Sequence, residues 1–329
     1  MQNIKQVVSL TFIAWISTTS ALPALPYLSS HAIRAYEAGQ QVRSSLLETR
    51  QNPQTGLPDS VTDTDILEFA LTLENLETAF YQQGFAKFPD SDFAALGLQQ
   101  ADIANLKSIG GTEATHVTTL AAAIAGTGAA PVQPCTYDFK FTNAAGMVAT
   151  AGVLENVGVS AYLAAAPLVK SPAILTVAAE IVTVEARHQT FIRTASKAAA
   201  IPGAFDTPLG IRAVFSIAAN FIQSCPNGSN LAITPFPELT MSPTQSMTKL
   251  VGGTEVRMES PAAMSATSCA FVNGGQTGGS SFTPFQNGAC VVPMGLTGIT
   301  YVHLASSTPA DGMLTDSITV AGPMVMTVN

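Results

Sequence analysis

The sequence predicts a mainly α protein, a four-helix bundle followed by a smaller β-sandwich-like domain of the immunoglobulin type. Three observations carry this prediction. Apolar residues recur at spacings of three and four between Thr62 and Ala200, in four stretches long enough for helices. Glycine and proline divide the stretches into two close pairs with one longer connection between them. Beyond Pro226 the composition shifts to Gly, Ser, Thr and Pro with short alternating runs.

The first helix aligns Leu67, Ala70, Leu71, Glu74, Thr78, Tyr81 and Phe85, and Gly84 and Pro89 are expected to close it. The second, Ala101 to Ala125, aligns Leu106, Ile109, Glu113, His116, Leu120 and Ile124 before Gly126, Gly128 and Pro131. A longer crossover passes through Cys135 to Phe141. The third helix, Asn143 to Ala166, carries Val148, Ala151, Glu155, Val159 and Tyr162 on one face. The fourth, Pro172 to Ala199, carries Leu175, Ala178, Val182, Glu185, His188, Ile192 and Ala195, with Pro172 suited to its first turn. A short helix is expected within Pro208 to Gln223. In the tail, Thr254 to Met258 and Ile299 to Leu304 alternate, and Ser317 to Val320 and Val325 to Val328 look like closing strands.

Lys5, the apolar run Val7 to Trp15 and the small residues Thr19-Ser20-Ala21 spell a secretory signal over residues 1–21. The expected layout continues with a polar extension over 22–61, the bundle over 62–225, a linker over 226–241 and the β-rich domain over 242–329. Secretion places the four cysteines in an oxidising compartment, where an even number favours disulfides. Of three possible connectivities, Cys269 with Cys290 and Cys135 with Cys225 is preferred, because one pair staples the tail and the other ties a loop to the bundle's end. Asn227-Gly228-Ser229 is an N-glycosylation sequon. A net charge of -8 leaves no basic patch for nucleic acid. Residues 147–169 are apolar enough for a membrane span, but Glu155-Asn156, Thr150 and Ser160 argue for a buried bundle helix instead.

The bundle spells one message twice. Leu73-Glu74-Asn75 and Leu154-Glu155-Asn156 each reach a tyrosine seven residues past the glutamate, at Tyr81 and Tyr162. One helix later come Glu113-Ala-Thr-His116 and Glu185-Ala-Arg-His188. Glu-x-x-His puts both side chains on one helix face, one turn apart. Glu155 is the only charged residue between Lys140 and Lys170. Like charges buried together cost several kcal/mol each, of order, unless paired or neutralised. Two divalent ions balance four carboxylates and leave the imidazoles neutral, and this donor set suits iron or manganese. Glu74, Glu113, His116, Glu155, Glu185 and His188 are therefore the candidate metal ligands. Glu77 shares nearly the same face as Glu74, and the tyrosine at +7 favours Glu74. Glu68 lies further up, Glu180 is expected in solvent, and His31 and His303 are expected on the surface. Tyr81 and Tyr162 are either hydrogen-bond partners of the ligands or packing residues.

The segments LENLETAFYQQGFAKF, GGTEATHVTTLAAAIAG, VLENVGVSAYLAAAPLV, VEARHQTFIR and FDTPLG…SIAANFIQSCPNGS resemble the ferritin-like superfamily. They look most like its secreted fungal stress- and development-associated members, which are related to plant desiccation-associated proteins. The resemblance covers about half the chain. It implies that Glu74 and Glu155 are terminal carboxylates, that Glu113 and Glu185 bridge two ions, and that His116 and His188 each cap one. It implies partners such as dioxygen, peroxide or ferrous iron, with ferroxidase-like or catalase-like activity. The rival expectation is an extracellular, wall-associated stress protein whose metal site is structural or vestigial, with the β-rich tail as its attachment module.

Overall fold

Thr62 starts the bundle. In the computed structural model, which describes residues 60–328 except 228, 230, 232, 244 and 246–249, its side chain caps helix α1 (Asp63–Lys87). Thr62 Oγ1 accepts from Asp65 N at 3.2 Å, and Asp65 Oδ2 accepts from Thr62 N at 2.9 Å, a reciprocal capping box. The expected leader, His31 and nearly all of the 22–61 extension lie outside the described residues.

Gly84 does not end α1, which runs on to Lys87. Its missing side chain instead makes room for Met147, which a Cβ at this position would strike. A short helix α2 (Asp90–Ala95), which the periodicity did not announce, leads into α3 (Gln100–Gly126). Asn143 caps α4 (Ala144–Ala165) by accepting from Gly146 N at 2.8 Å, and Ser171 caps α5 (Pro172–Ala195), with Pro172 in its first turn. Helix α1 pairs chiefly with α3, and α4 with α5. The resulting core unites Leu76, Phe80, Ile103, Leu106, Met147 and Ile192. Among the described residues, only Ala144–Leu168 is long and apolar enough to cross a membrane, and 67% of that window is buried inside the fold.

The expected short helix is α6 (Ile211–Ala218). After one tight turn, β2 (Ile222–Ser224) pairs with β1 (Thr136–Tyr137) in the crossover. A disulfide joins Cys135 to Cys225 beside this pairing. The C-terminal region holds two antiparallel sheets. One has the order β3 (Thr240–Met241), β4 (Glu255–Glu259), β7 (Ala289–Val291). The other has the order β6 (Ser280–Pro284), β5 (Ser268–Val272), β8 (Gly298–Ala305), β9 (Thr319–Val328). They share a core of Val256, Met258, Phe271, Val302, Leu304 and Met326, and the Cys269–Cys290 disulfide links β5 to β7. Closing a loop of this size stabilises by roughly 3 kcal/mol in the chain-entropy model.

Two expectations for the tail are corrected. The two closing strands are one, because β9 is an edge strand where the missing N–H of Pro323 removes no ladder bond. His303 is not on the surface. It is 1% exposed, with Phe236 edge-on to its ring at 6.3 Å, because the four-stranded sheet is covered on both faces. With no hydrogen bond to either nitrogen, burial pushes its pKa down to about 3, so it stays neutral.

Candidate metal centre

Each long helix contributes one step of the repeat to the same buried point. Glu74 comes from α1, Glu113 and His116 from α3, Glu155 from α4, Glu185 and His188 from α5. Glu113, Glu155 and Glu185 are 0% exposed, in a class of residue almost never fully buried without a partner. Their ligand atoms form two overlapping groups of four. Glu74, Glu113, His116 and Glu185 make one, and Glu113, Glu155, Glu185 and His188 the other, with all atoms of a group within 4.8 Å of one another.

The imidazoles lie near parallel, 6.4 Å apart at 28°. His116 Nδ1 stands 3.2 Å from Glu74 Oε2, 3.0 Å from Glu113 Oε2 and 3.3 Å from Glu185 Oε1. His188 Nδ1 stands 2.8 Å from Glu113 Oε1 and 3.0 Å from Glu155 Oε2. One ring nitrogen carries at most one proton, so it cannot donate to three carboxylates at once. Spacings of about 3 Å are instead those of neighbouring ligands on an octahedron with metal–ligand distances of about 2.1 Å. Glu185 Oε2 has no donor, and Glu113 Oε1 and Glu185 Oε1 face only the overcommitted histidine nitrogens. The donor set of hard carboxylates with one imidazole per group fits divalent iron or manganese.

In the metal-free protein the cluster is held by protons. Burial opposes charging of His116, but hydrogen bonds to Glu113, Glu185 and Glu74 raise its pKa to about 12. His188 is raised to about 9 against the same burial by Glu113 and Glu155. Burial raises Glu74 to about 7 despite His116. Glu113 goes the other way, to about 2, because both histidines outweigh its burial. Glu155 and Glu185 are raised, in each case mainly by burial.

The tyrosines of the repeat work crosswise. Tyr162 of α4 donates to Glu74 Oε1 of α1 at 2.7 Å, and Tyr81 of α1 donates to Glu155 of α4. Each is therefore a hydrogen-bond partner of the carboxylate in the opposite half. Glu77 shares the inner face of α1 with Glu74. Both are buried, and Glu77 belongs to neither four-atom group but faces the shared carboxylates. Ionised, it would be a fifth negative charge beyond what two divalent ions balance. Burial, followed by Glu185 and Glu74, pushes its pKa well above the carboxylate range, so it keeps its proton. Glu68, also buried, accepts from Val132 N at 2.9 Å and pins the crossover, while Glu180 is exposed as expected. Asn227 is exposed on the turn after Cys225, and the Ser229 hydroxyl accepts from Gln133 N at 2.9 Å.

Gly158 is where α4 yields to this cluster. A Cβ there would lie 2.7 Å from Glu185 Oε2 and 3.4 Å from Glu77 Oε1. Gly158→Ala is expected to displace Glu185 and weaken manganese binding at least tenfold without loss of helix content, as read by metal titration beside circular dichroism. Unchanged affinity would show that Glu185 is not held where the structure puts it.

Residues 62–198 match the model of the ferritin-like domain. No curated protein matches the chain. The helical unit is a ferritin-like domain, followed by a region of antiparallel sheets. Its buried Glu/His groups are compatible with a metal site.

Proposed function

We propose that this is a secreted ferritin-like protein of the stress-associated kind, and that its six-residue cluster holds two divalent ions of iron or manganese. The observation that carries the reading is the pair of overlapping four-ligand groups with Glu113 and Glu185 common to both. In this reading Glu113 and Glu185, common to both groups, would serve both ions, Glu74 and His116 would help to hold one, and Glu155 and His188 the other. When bound, such a pair supplies two electrons to dioxygen or peroxide without releasing a radical, which makes ferroxidase-like or peroxide-disproportionating chemistry the proposed activity.

The chain's own residues support this role by orientation and exclusion. Tyr81 and Tyr162 hold the terminal carboxylates from opposite helices, fixing which oxygen faces inward. Buried Leu73 and Leu154, each preceding a candidate ligand, line a small cavity with Glu77 and Gly158 and help to keep bulk water out. The two disulfides support an extracellular setting. A glycan on Asn227 and a cell-surface role in stress complete the proposal.

Purification of the secreted protein, refilling with iron or manganese, and elemental analysis test the first step. Assays of ferrous oxidation and peroxide loss test the second. Fewer than one bound ion per chain after refilling would end the redox reading. Full occupancy with neither activity would leave a structural metal site.

A further inference from the structure

Strand β8 is buried on both faces, and it divides its side chains between two cores. Val302 and Leu304 belong to the sandwich core, whereas Tyr301 belongs to the core of the bundle, with Ile299, Val272 and Val325 packed around it. In register, Tyr301 lies between Val272 of β5 and Val325 of β9, so the sheet presents one apolar patch with a single hydroxyl at its centre. That hydroxyl is fully buried and accepts from Asn156 Nδ2 at 2.6 Å, and it shares a hydrogen bond with Ser160 Oγ at 2.8 Å. Asn156 Oδ1 in turn accepts from Gln189 Nε2.

The position of these partners gives the contact its meaning. Asn156 directly follows Glu155 on α4, and Gln189 directly follows His188 on α5. Glu155 and His188 are the two side chains that occur only in the second four-ligand group. A buried hydrogen-bonded chain therefore runs from the β-domain to the side chains that follow, in sequence, both residues unique to one half of the centre. Asn75, the counterpart of Asn156 in the repeat, makes no such bond to the β-domain among the described residues. The repeat is symmetric in its ligands and asymmetric in its support.

We infer that Tyr301 is a positioning residue, through which the C-terminal domain locks the α4–α5 pair and sets the affinity of the Glu155/His188 half. The β-rich tail is then part of the scaffold of the metal centre rather than only an attachment module. This inference rests on the two-ion reading above. Hydrogen-bond partners of a ligand itself change affinity by about ten- to a hundredfold when removed, and Tyr301 acts one residue further out, so its effect falls at or below the lower end of that range.

The test uses the full chain. Tyr301→Phe keeps the ring and its packing but loses the hydroxyl, and manganese and cobalt are titrated into metal-free protein. The expected result is one ion bound as tightly as in the parent and the other measurably weakened, by up to about tenfold. The visible cobalt bands of a single ion should change with it. Met326→Ala, in the sandwich core, serves as a variant that loses stability without touching the network, and it should leave both affinities unchanged. Equal affinities in Tyr301→Phe and the parent would overturn the inference while leaving the two-ion reading intact. So would a Met326→Ala protein that weakens the second ion as much. A parent chain that binds no ions at all would overturn both.

Discussion

Glu113→Gln and Glu185→Gln will each strip the protein of both ions, whereas His116→Ala and His188→Ala will each leave one. The difference follows from membership. Glu113 and Glu185 lie in both four-atom groups, and each histidine lies in only one. An amide keeps the shape of the carboxylate but offers one oxygen and no charge. Between them the two halves thereby lose a shared ligand oxygen and one of the four negative charges that balance the ions. Removing His188 leaves Glu74, Glu113, His116 and Glu185 in place, so that half still fills, and Glu155→Ala should behave like His188→Ala. The metal-free Glu185→Gln variant should be about as stable as the parent, because burial already raises that carboxyl towards its neutral form, whereas metal-free Glu113→Gln should be less stable, because it takes the charge partner from both buried histidines. Elemental analysis after refilling, together with melting of the stripped proteins, checks both halves of the prediction. One ion retained in Glu113→Gln would mean that the two groups do not share it.

That six candidate ligands can be read from the sequence while Glu77 stands only as a rival to Glu74 comes down to what a helix face can say. A stripe at spacings of three and four fixes which residues look inward, and Glu74, Glu113, Glu155 and Glu185 all interrupt apolar stripes. Glu74 and Glu77 are one turn apart, so the stripe admits both, and only the packing of α4 at Gly158 shows that both fit. The tyrosines illustrate the same limit. Their spacing within one helix was legible, but their bonds cross between α1 and α4, and no single-helix pattern encodes a crossing. In the tail the alternation of β4 and β8 was plain. Strand β5, Ser268–Val272, is buried along nearly its whole length and has no polar face to mark it. His303 departs from expectation for the related reason that alternation implies a wet face, and here that face packs into the bundle's core, to which Tyr301 and the linker residue Phe236 both belong.

Metal affinity will rise with pH across the neutral range, and stripping the metal will cost most stability at the alkaline end. His116 and His188 have folded pKa values of about 12 and about 9, so both are protonated at pH 7 without metal. Each would bind an ion through the Nδ1 that now faces carboxylates, so each ion must displace at least one proton. Affinity then rises about tenfold per pH unit for each half while its histidine remains protonated. For the Glu155/His188 half this ends near pH 9, while the His116 half continues beyond it. Below about pH 7 the proton on Glu74 steepens the second case further. The same raised values fix the sign for stability. A histidine whose pKa is raised on folding contributes stability that is complete below its unfolded value of 6.5 and lost as pH climbs through 9 and 12. The metal-free protein therefore weakens in the range where metal binds best. An ion at a hundredfold excess over its Kd adds about 2.7 kcal/mol, or roughly 5–10 °C in Tm for a domain of this size. Calorimetric titrations at pH 6, 7 and 8 in two buffers of different ionisation enthalpy count the protons released. Melting with and without chelator across the same range reads the stability gap. Proton release near zero, or a gap that shrinks as pH rises, would mean that the imidazole nitrogens are not where the ions bind.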